Sequence, residues 1–383
     1  MRNIIILALI FASTNLFSQR FLTYEYPQLD SIIGGSYGTA VNYLGENQDL
    51  LFDFYAPKND ESNKRPLIIY LHGGGFNSGT RSYPSVKLIA KKMAMKGYAV
   101  ANIDYRLDPN FELYNSNENR RAMTDAMHDA KQAIRYFKAN AALYKLDTTK
   151  VFIGGESAGA AAAMMASYVD KQAEMSIYPM ANPNNPVGSA SNPNVGNEVN
   201  ATMCLCGLLL DTMAIEKPSD PPLLWTHGSA DPLIPMPLAF MIVTRAQNIG
   251  LPIQTKIYEG ATHCPWYYGN PQWETYLDST ITDITTFLYP KVSPVLNVTD
   301  EKDLSFKIYP NPGTEDIFIE LDKQYAKIKI TILSPTGQIK KDWTFRNKSS
   351  LHLNLRDFTK GVYIMKTEID KVVLTKKIVI GGQ

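Results

Sequence analysis

From about residue 50 to residue 290, short unbroken apolar runs alternate with stretches of helical period. Leu67 to Leu71, Tyr98 to Ile103, Val151 to Gly154, Met203 to Cys206, Leu223 to Thr226 and Ile253 to Tyr258 read as buried strands. Between them, Val86 to Met95, Arg121 to Ala139, Ala158 to Val169, Leu238 to Gln247 and Trp273 to Leu288 read as helices. A strand that is apolar along its whole length has both faces covered. The pattern therefore predicts an α/β domain over residues 19–290, a mostly parallel sheet with helices on both faces. Beyond residue 304 the period falls to two. Ile328, Ile330 and Ile332 alternate with polar residues, as do Leu351, Leu353 and Leu355, and Ser334-Pro335-Thr336-Gly337 forms a turn between the two runs. With no helical period there, residues 304–383 are expected to form a small all-β sandwich. The polar, proline-bearing stretch 291–303 is the expected linker, and the Asn/Pro/Gly-rich stretch from Asn182 to Asn200 a long surface loop.

The first residues stand apart from this pattern. Arg2 precedes an apolar run from Ile4 to Ala12, and small Ser18 follows. That is the layout of a secretory signal peptide, residues 1–18, and the run is short for a membrane span. A short membrane anchor is the other reading. No later segment reaches about 18 unbroken apolar residues, so no stable membrane span is expected. The net charge of +1 offers none of the basic surplus of a nucleic-acid binder. The 3 cysteines, Cys204, Cys206 and Cys264, make neither a disulfide framework nor the paired Cys/His spacing of a zinc site. On a regular strand Cys204 and Cys206 share one face, which disfavours a direct bridge between them.

Two glycine-rich motifs carry the chemistry. Gly155-Glu156-Ser157-Ala158-Gly159 lies between an expected strand and an expected helix, the setting a nucleophile elbow requires. Its glycines permit a sharp turn that projects Ser157 from the sheet edge, and the helix N-terminus behind it favours negative charge. His72-Gly73-Gly74-Gly75-Phe76 directly follows the strand Leu67 to Leu71. Its backbone N–H groups, with that of Ala158, would form an oxyanion hole. A phosphate loop would need Gly-Lys-Ser/Thr at its end, where this chain has Phe76-Asn77-Ser78.

The base follows by elimination, since the nucleophile, acid and histidine come in that chain order in such a fold. His72 belongs to the glycine loop, His128 precedes the serine on a helix, His227 precedes the acid and His352 lies in the β tail; His263 remains. Asp231, in His227-Gly228-Ser229-Ala230-Asp231-Pro232, follows its strand at the correct edge, with Asp211 as the alternative acid. Ser157 would attack an acyl carbon, His263 would shuttle the proton and Asp231 would orient the imidazole. Cys264, adjacent to the base, is poorly placed to act as nucleophile. Glu156 is expected to pack or hydrogen-bond beneath the elbow. No metal or cofactor is required.

With these motifs in hand, residues 50–290 resemble the carboxylesterase/lipase branch of the α/β-hydrolases, near the hormone-sensitive-lipase-like and type-B carboxylesterase groups. The matching stretches are the two glycine motifs, Asp104-Tyr105-Arg106-Leu107, His227-Gly228-Ser229-Ala230-Asp231 and Gly260-Ala261-Thr262-His263. The resemblance implies that Gly74, Gly75 and Ala158 donate to the oxyanion and that Arg106 is an ion-pair partner. The interval Gly207 to Pro221 is too short for the helical cap of the lipase-like group, which implies an open pocket. Trp266, Tyr267 and Tyr268 would rim it or pack the next helix.

The tail resembles the C-terminal sorting domain of the type IX secretion system. Phe306-Lys307-Ile308-Tyr309-Pro310-Asn311-Pro312, Leu333-Ser334-Pro335-Thr336-Gly337 and Gly361-Val362-Tyr363 carry the likeness. It implies export through periplasm and outer membrane, with the secretion machinery as partner. The expected function is a secreted or surface-attached serine carboxylesterase acting on short-acyl or polysaccharide esters. A prolyl-oligopeptidase-like peptidase, a lipase or polyesterase, and a non-catalytic binding module are the alternatives.

Overall fold

The computed structural model describes residues 20–111, 121–170, 192, 194–292, 306–311, 313, 315–334, 339–369 and 372–381. The expected signal peptide and most of the Asn182 to Asn200 loop lie outside them. The chain divides into two compact units, Met1–Ser293 and Pro294–Gln383.

In the first unit eight strands form one sheet: β1 Leu29–Val41, β2 Asn47–Pro57, β3 Arg65–Leu71, β4 Ala99–Ile103, β5 Leu146–Glu156, β6 Ala201–Leu205, β7 Leu223–Gly228 and β8 Ile253–Tyr258. Their spatial order is β1-β2-β4-β3-β5-β6-β7-β8. β1 and β2 pair antiparallel, as do β2 and β4, while the pairs from β4 through β3 to β8 are parallel. β3 shows why its run is unbroken. Leu67, Ile69 and Leu71 join the core on one face of the sheet, and Ile68 and Tyr70 the core on the other.

Helices α1 Pro84–Met95, α2 Arg121–Ala139, α3 Ala141–Tyr144, α4 Ala158–Tyr168, α5 Met236–Ile249 and α6 Trp273–Val292 complete the unit. α1 and α6 bury Val86, Ile89, Leu277, Ile281 and Ile284 on one face. α2, α4 and α5 bury Ala126, Ile134, Ala160, Met164 and Ile242 on the other. α4 reads Ala-Gly-Ala-Ala-Ala-Ala, and side chains that small let it seat close against the strands. α5 stops where Gly250 adopts the left-handed conformation that closes many helices.

Three features depart from the sequence pattern. The β1–β2 hairpin has no counterpart among the expected strands. Pro290 does not end α6: the helix runs on to Val292, so the expected linker loses its first two residues, and the rest of it lies outside the described residues. Cys204 and Cys206 fall in opposite cores, because β6 ends at Leu205 and Cys206, at φ 49°, turns the chain over.

The second unit is all-β: β9 Phe306–Tyr309, β10 Asp316–Leu333, β11 Ile339–Asn354, β12 Gly361–Ile369 and β13 Val372–Ile380. They form one antiparallel five-stranded sheet in the order β11-β10-β12-β13, with β9 on β10. β9 pairs with the first half of β10 and β12 with the second, and the sheet curls round a single core. Ile328, Ile330, Ile332, Leu351, Leu353 and Leu355, the alternating residues of the sequence pattern, are all buried in it. Among the described residues no helix is long and apolar enough to cross a membrane.

Candidate active site

The C-terminal ends of the parallel strands gather the candidate residues at one edge of the sheet. Ser157 sits between the last residue of β5 and the first of α4, at φ 54° and ψ −119°. That is strained backbone for a residue with a Cβ, as an elbow demands. The turn closes only because its flanks are glycine. A Cβ on Gly155 would lie 2.6 Å from the Gly159 carbonyl carbon, and one on Gly159 would collide with the carbonyl oxygens of Leu71 and His72. The Ser157 N–H donates to Leu205 O at 2.9 Å, locking the elbow to β6.

His263 lies in the loop after β8. Its Nε2 is 2.8 Å from Ser157 Oγ and its Nδ1 is 2.6 Å from Asp231 Oδ2. A carboxylate only accepts, so Nδ1 carries the proton and Nε2 is free to accept from the serine hydroxyl. Asp231 stands after β7, and its Oδ1 accepts from the N–H groups of Leu233 and Ile234 at 2.8 and 2.9 Å. Burial by itself would push this carboxyl up. The bonds from His263, Ile234 and Leu233 outweigh that and hold it below the ordinary carboxylate range. His227 supports the same loop, with Nε2 2.8 Å from Ile234 O and 3.3 Å from Asp231 Oδ2.

Above this trio lies a cavity of about 460 Å³, a size that accepts small organic ligands. Ser157, His263, Gly74, Gly75 and Ala158 form its polar side; Phe76, Phe111, Met123, Ala161, Leu208, Leu233 and Ile234 form an apolar wall. Among the described residues, no hydrogen bond uses the N–H of Gly74, Gly75 or Ala158, which leaves three donors for an incoming oxygen. Gly74 is at φ +124°, and a Cβ there would collide with the carbonyl oxygen of Ser78.

Residues 52–203 match the BD-FAE family model, and residues 307–381 match the secretion system C-terminal sorting domain. Gut esterase 1 of Caenorhabditis elegans is 30% identical over 158 residues, covering 40% of this chain and 27% of that protein. A probable isoprenylcysteine alpha-carbonyl methylesterase of Arabidopsis thaliana is 24% identical over 262 residues, covering 61% of this chain and 52% of that protein. The chain thus spans about a quarter to a half of the length of these two relatives. Native esterase 2 of Thermogutta terrifontis superposes with a TM-score of 0.55 at 20% identity, over 70% of this chain and 95% of that one, which establishes the shared fold. The first unit has the α/β-hydrolase fold, and the second matches a secretion-system C-terminal sorting domain. The sorting domain marks it for type IX secretion to the cell surface or beyond.

Several features of this α/β-hydrolase were not legible as motifs. Cys206 and Cys264 are joined in a disulfide, so Cys264 has no free thiol to act as nucleophile, and Cys204 is buried and free. The donor atoms of Cys206, Cys264 and His263 lie within 4.8 Å of one another, yet the two sulfurs are bonded to each other. The three aromatics after His263 separate into three settings. Trp266 is fully buried and is no part of a rim, Tyr267 lines the cavity, and Tyr268 is 72% exposed.

Glu156 lies buried beneath the elbow and accepts from Trp266 Nε1 at 2.9 Å and Ser85 Oγ at 3.2 Å. Burial pushes its carboxyl up to about 7 despite these donors. Asp211, the alternative acid, caps a short 3₁₀ turn through the N–H of Met213 and makes no bond to His263. Arg106 pairs with Asp129 at 2.8 Å and Asp125 at 3.0 Å. His72 stacks on Tyr105 beneath the glycine loop, and burial lowers its imidazole below the usual range.

Proposed function

We propose that the chain is a secreted serine carboxylesterase that hydrolyses short-acyl or carbohydrate-linked carboxylic esters through an acyl-enzyme intermediate. The observation that carries this reading is the continuous relay Asp231–His263–Ser157, with links of 2.6 and 2.8 Å, at the base of an apolar cavity. In this mechanism Ser157 Oγ adds to the ester carbonyl as His263 Nε2 takes its proton. The N–H groups of Gly74, Gly75 and Ala158 hold the oxyanion. The tetrahedral adduct collapses, and the alcohol leaves with the proton from His263. Water, deprotonated by the same imidazole, then attacks the acyl-serine and releases the acid. Asp231 keeps the imidazole in the required tautomer and stabilises its charged form.

The cavity and the fold's relatives both favour a small substrate. Esterase 2 of Thermogutta terrifontis has been seen with propionate and with butyrate bound. By analogy, the apolar wall of Phe111, Met123, Ala161 and Leu208 takes a short acyl group, leaving room for the alcohol in the same cavity. Residues 304–383 engage the type IX secretion machinery and deliver the enzyme to its substrate outside the cell.

The test is hydrolysis of p-nitrophenyl acetate and of a proline-containing peptide by the wild type and by Ser157→Ala. Ester cleavage lost in the variant, with no peptide cleavage by either, is the expected result. Peptide cleavage that exceeds ester cleavage makes the chain a peptidase, and no cleavage of either makes it a binding module.

A further inference from the structure

The segment that carries the base has few ties of its own. Among the described residues, the hydrogen bonds of residues 262–265, the imidazole's apart, stay within the loop: Cys264 O accepts from Tyr267 N at 3.0 Å and from Asn270 Nδ2 at 3.4 Å. Its flanks are held by the Ala230 N–H to Ala261 O at 3.0 Å and by Trp266 Nε1 to Glu156 at 2.9 Å, and between them the bridge from Cys264 to Cys206, 58 residues earlier with Cα atoms 5.6 Å apart, is the covalent tie. Cys206 stands at the junction of the other two functional loops. Its neighbour Leu205 accepts the Ser157 N–H at 2.9 Å, and its own N–H donates to Thr226 O at 2.8 Å on β7, the strand that leads to Asp231. The bridge thus ties the base to a point already bonded to the nucleophile and acid segments. Both half-cystines are fully buried and sit at positive φ, 49° and 42°. Residues with a Cβ persist in that region only where the surroundings hold them there.

We propose that the Cys206–Cys264 disulfide is a positioning element for His263, so that the enzyme reaches full activity only in its oxidised form. The proposal rests on the Ser157–His263–Asp231 reading. In a reducing compartment Cys206 and Cys264 are thiols like Cys204, and the base is without its clamp. On export to an oxidising compartment, both thiols transfer their two protons and two electrons to the disulfide of a thiol–disulfide oxidoreductase. That protein leaves as a dithiol, and the clamp closes. Dithiothreitol reverses the step, delivering two electrons and two protons and leaving as its cyclic disulfide. Cys204 does not compete: it lies in the opposite core, and burial pushes its thiol up to about 12.

The experiment compares full-length wild type, Cys206→Ala/Cys264→Ala, Cys204→Ala and Ser157→Ala on p-nitrophenyl acetate, with near-ultraviolet circular dichroism as the check of packing. The double variant is expected to keep its spectrum and KM and to lose about 100-fold in kcat, the scale of a small misplacement of a catalytic group. Cys204→Ala keeps wild-type kcat. Should the double variant fail to fold, wild type is reduced with dithiothreitol below its unfolding temperature. Activity then falls while the spectrum persists, and oxidised glutathione restores it. Wild-type kcat in the folded double variant or in reduced enzyme overturns the proposal. So does a loss of activity that only tracks loss of the spectrum, or that appears in KM alone. Full activity in Ser157→Ala strikes the underlying triad reading instead, whatever the cysteine variants do.

Discussion

Ser157→Ala removes one oxygen from a small, strained turn. The elbow's own bonds, the N–H to Leu205 and the glycine contacts on either side, stay in place. Turnover of p-nitrophenyl acetate is therefore expected to fall by about 10⁴-fold or more. The urea midpoint should stay where it is, and a midpoint that moves as far as the activity would make Ser157 a structural residue. Glu156 is expected to show the opposite behaviour. Its folded-state pKa of about 7 lies above the ordinary glutamate value. Between roughly pH 4.3, where an unfolded glutamate ionises, and pH 7 the folded state holds a proton that the unfolded state has released. Stability is therefore greatest below that window and declines as pH rises through it, by up to about 4 kcal/mol. Glu156→Gln should flatten this decline in urea unfolding at pH 5 and pH 7.5; equal slopes in both proteins would remove Glu156 as the cause. The residues of the proposed relay were legible because each occupies a motif with its own chain order. Glu156's partners were not, since Ser85, Trp266 and Tyr70, whose hydroxyl donates to Oε2 at 3.4 Å, meet it only after folding.

At the scale of elements, sequence legibility followed the strength of the periodic signal. β3, β5 and β7 are buried along most of their length and announce themselves as apolar runs. β1 is largely exposed, contains Gly34, Gly35 and Gly38, and slips register between Ile33 and Gly35 and again between Ser36 and Gly38. Two bulges break the alternation by which a strand is recognised. The disulfide was hidden for a related reason, because Cys206 leaves the face that its strand position assigns it. The glycine loop after β3 gives an element-scale prediction. In Gly74→Ala the added Cβ meets the Ser78 carbonyl oxygen and the backbone is held at a φ that favours glycine, so the loop must move. Loss of a placed oxyanion donor costs about 10²- to 10³-fold in kcat, with little change expected in KM. An unchanged kcat would place the oxyanion elsewhere. In the proposed mechanism the wall built by α4 and its neighbours would set chain length. Each buried methylene is worth about 0.8 kcal/mol only while it fits. Acetyl and butyryl esters should be cleaved far faster than dodecanoyl esters, without a jump in rate above the solubility limit of a triglyceride. A long-chain preference in an acyl series would make the enzyme a lipase.

At the scale of the molecule, the two units have separate cores, and all three residues of the proposed relay lie in the first. Residues 19–293 expressed alone should hydrolyse p-nitrophenyl acetate as the full chain does, whereas in its native host the same truncation, made with residues 1–18 kept, should leave the protein inside the cell. Loss of activity in the purified fragment would contradict independence of the units, and retained export would contradict the role given to the tail. In the proposed mechanism a single serine, Ser157, carries the acyl group. The most direct test of this is covalent trapping of the exported enzyme with paraoxon, the reagent that phosphorylates esterase 2 of Thermogutta terrifontis, followed by peptide mass spectrometry. One diethylphosphoryl group on Ser157, absent from Ser157→Ala and formed in step with the loss of esterase activity, is the expected result. Inactivation with the group on another residue, or full modification of Ser157 with activity retained, would contradict the account.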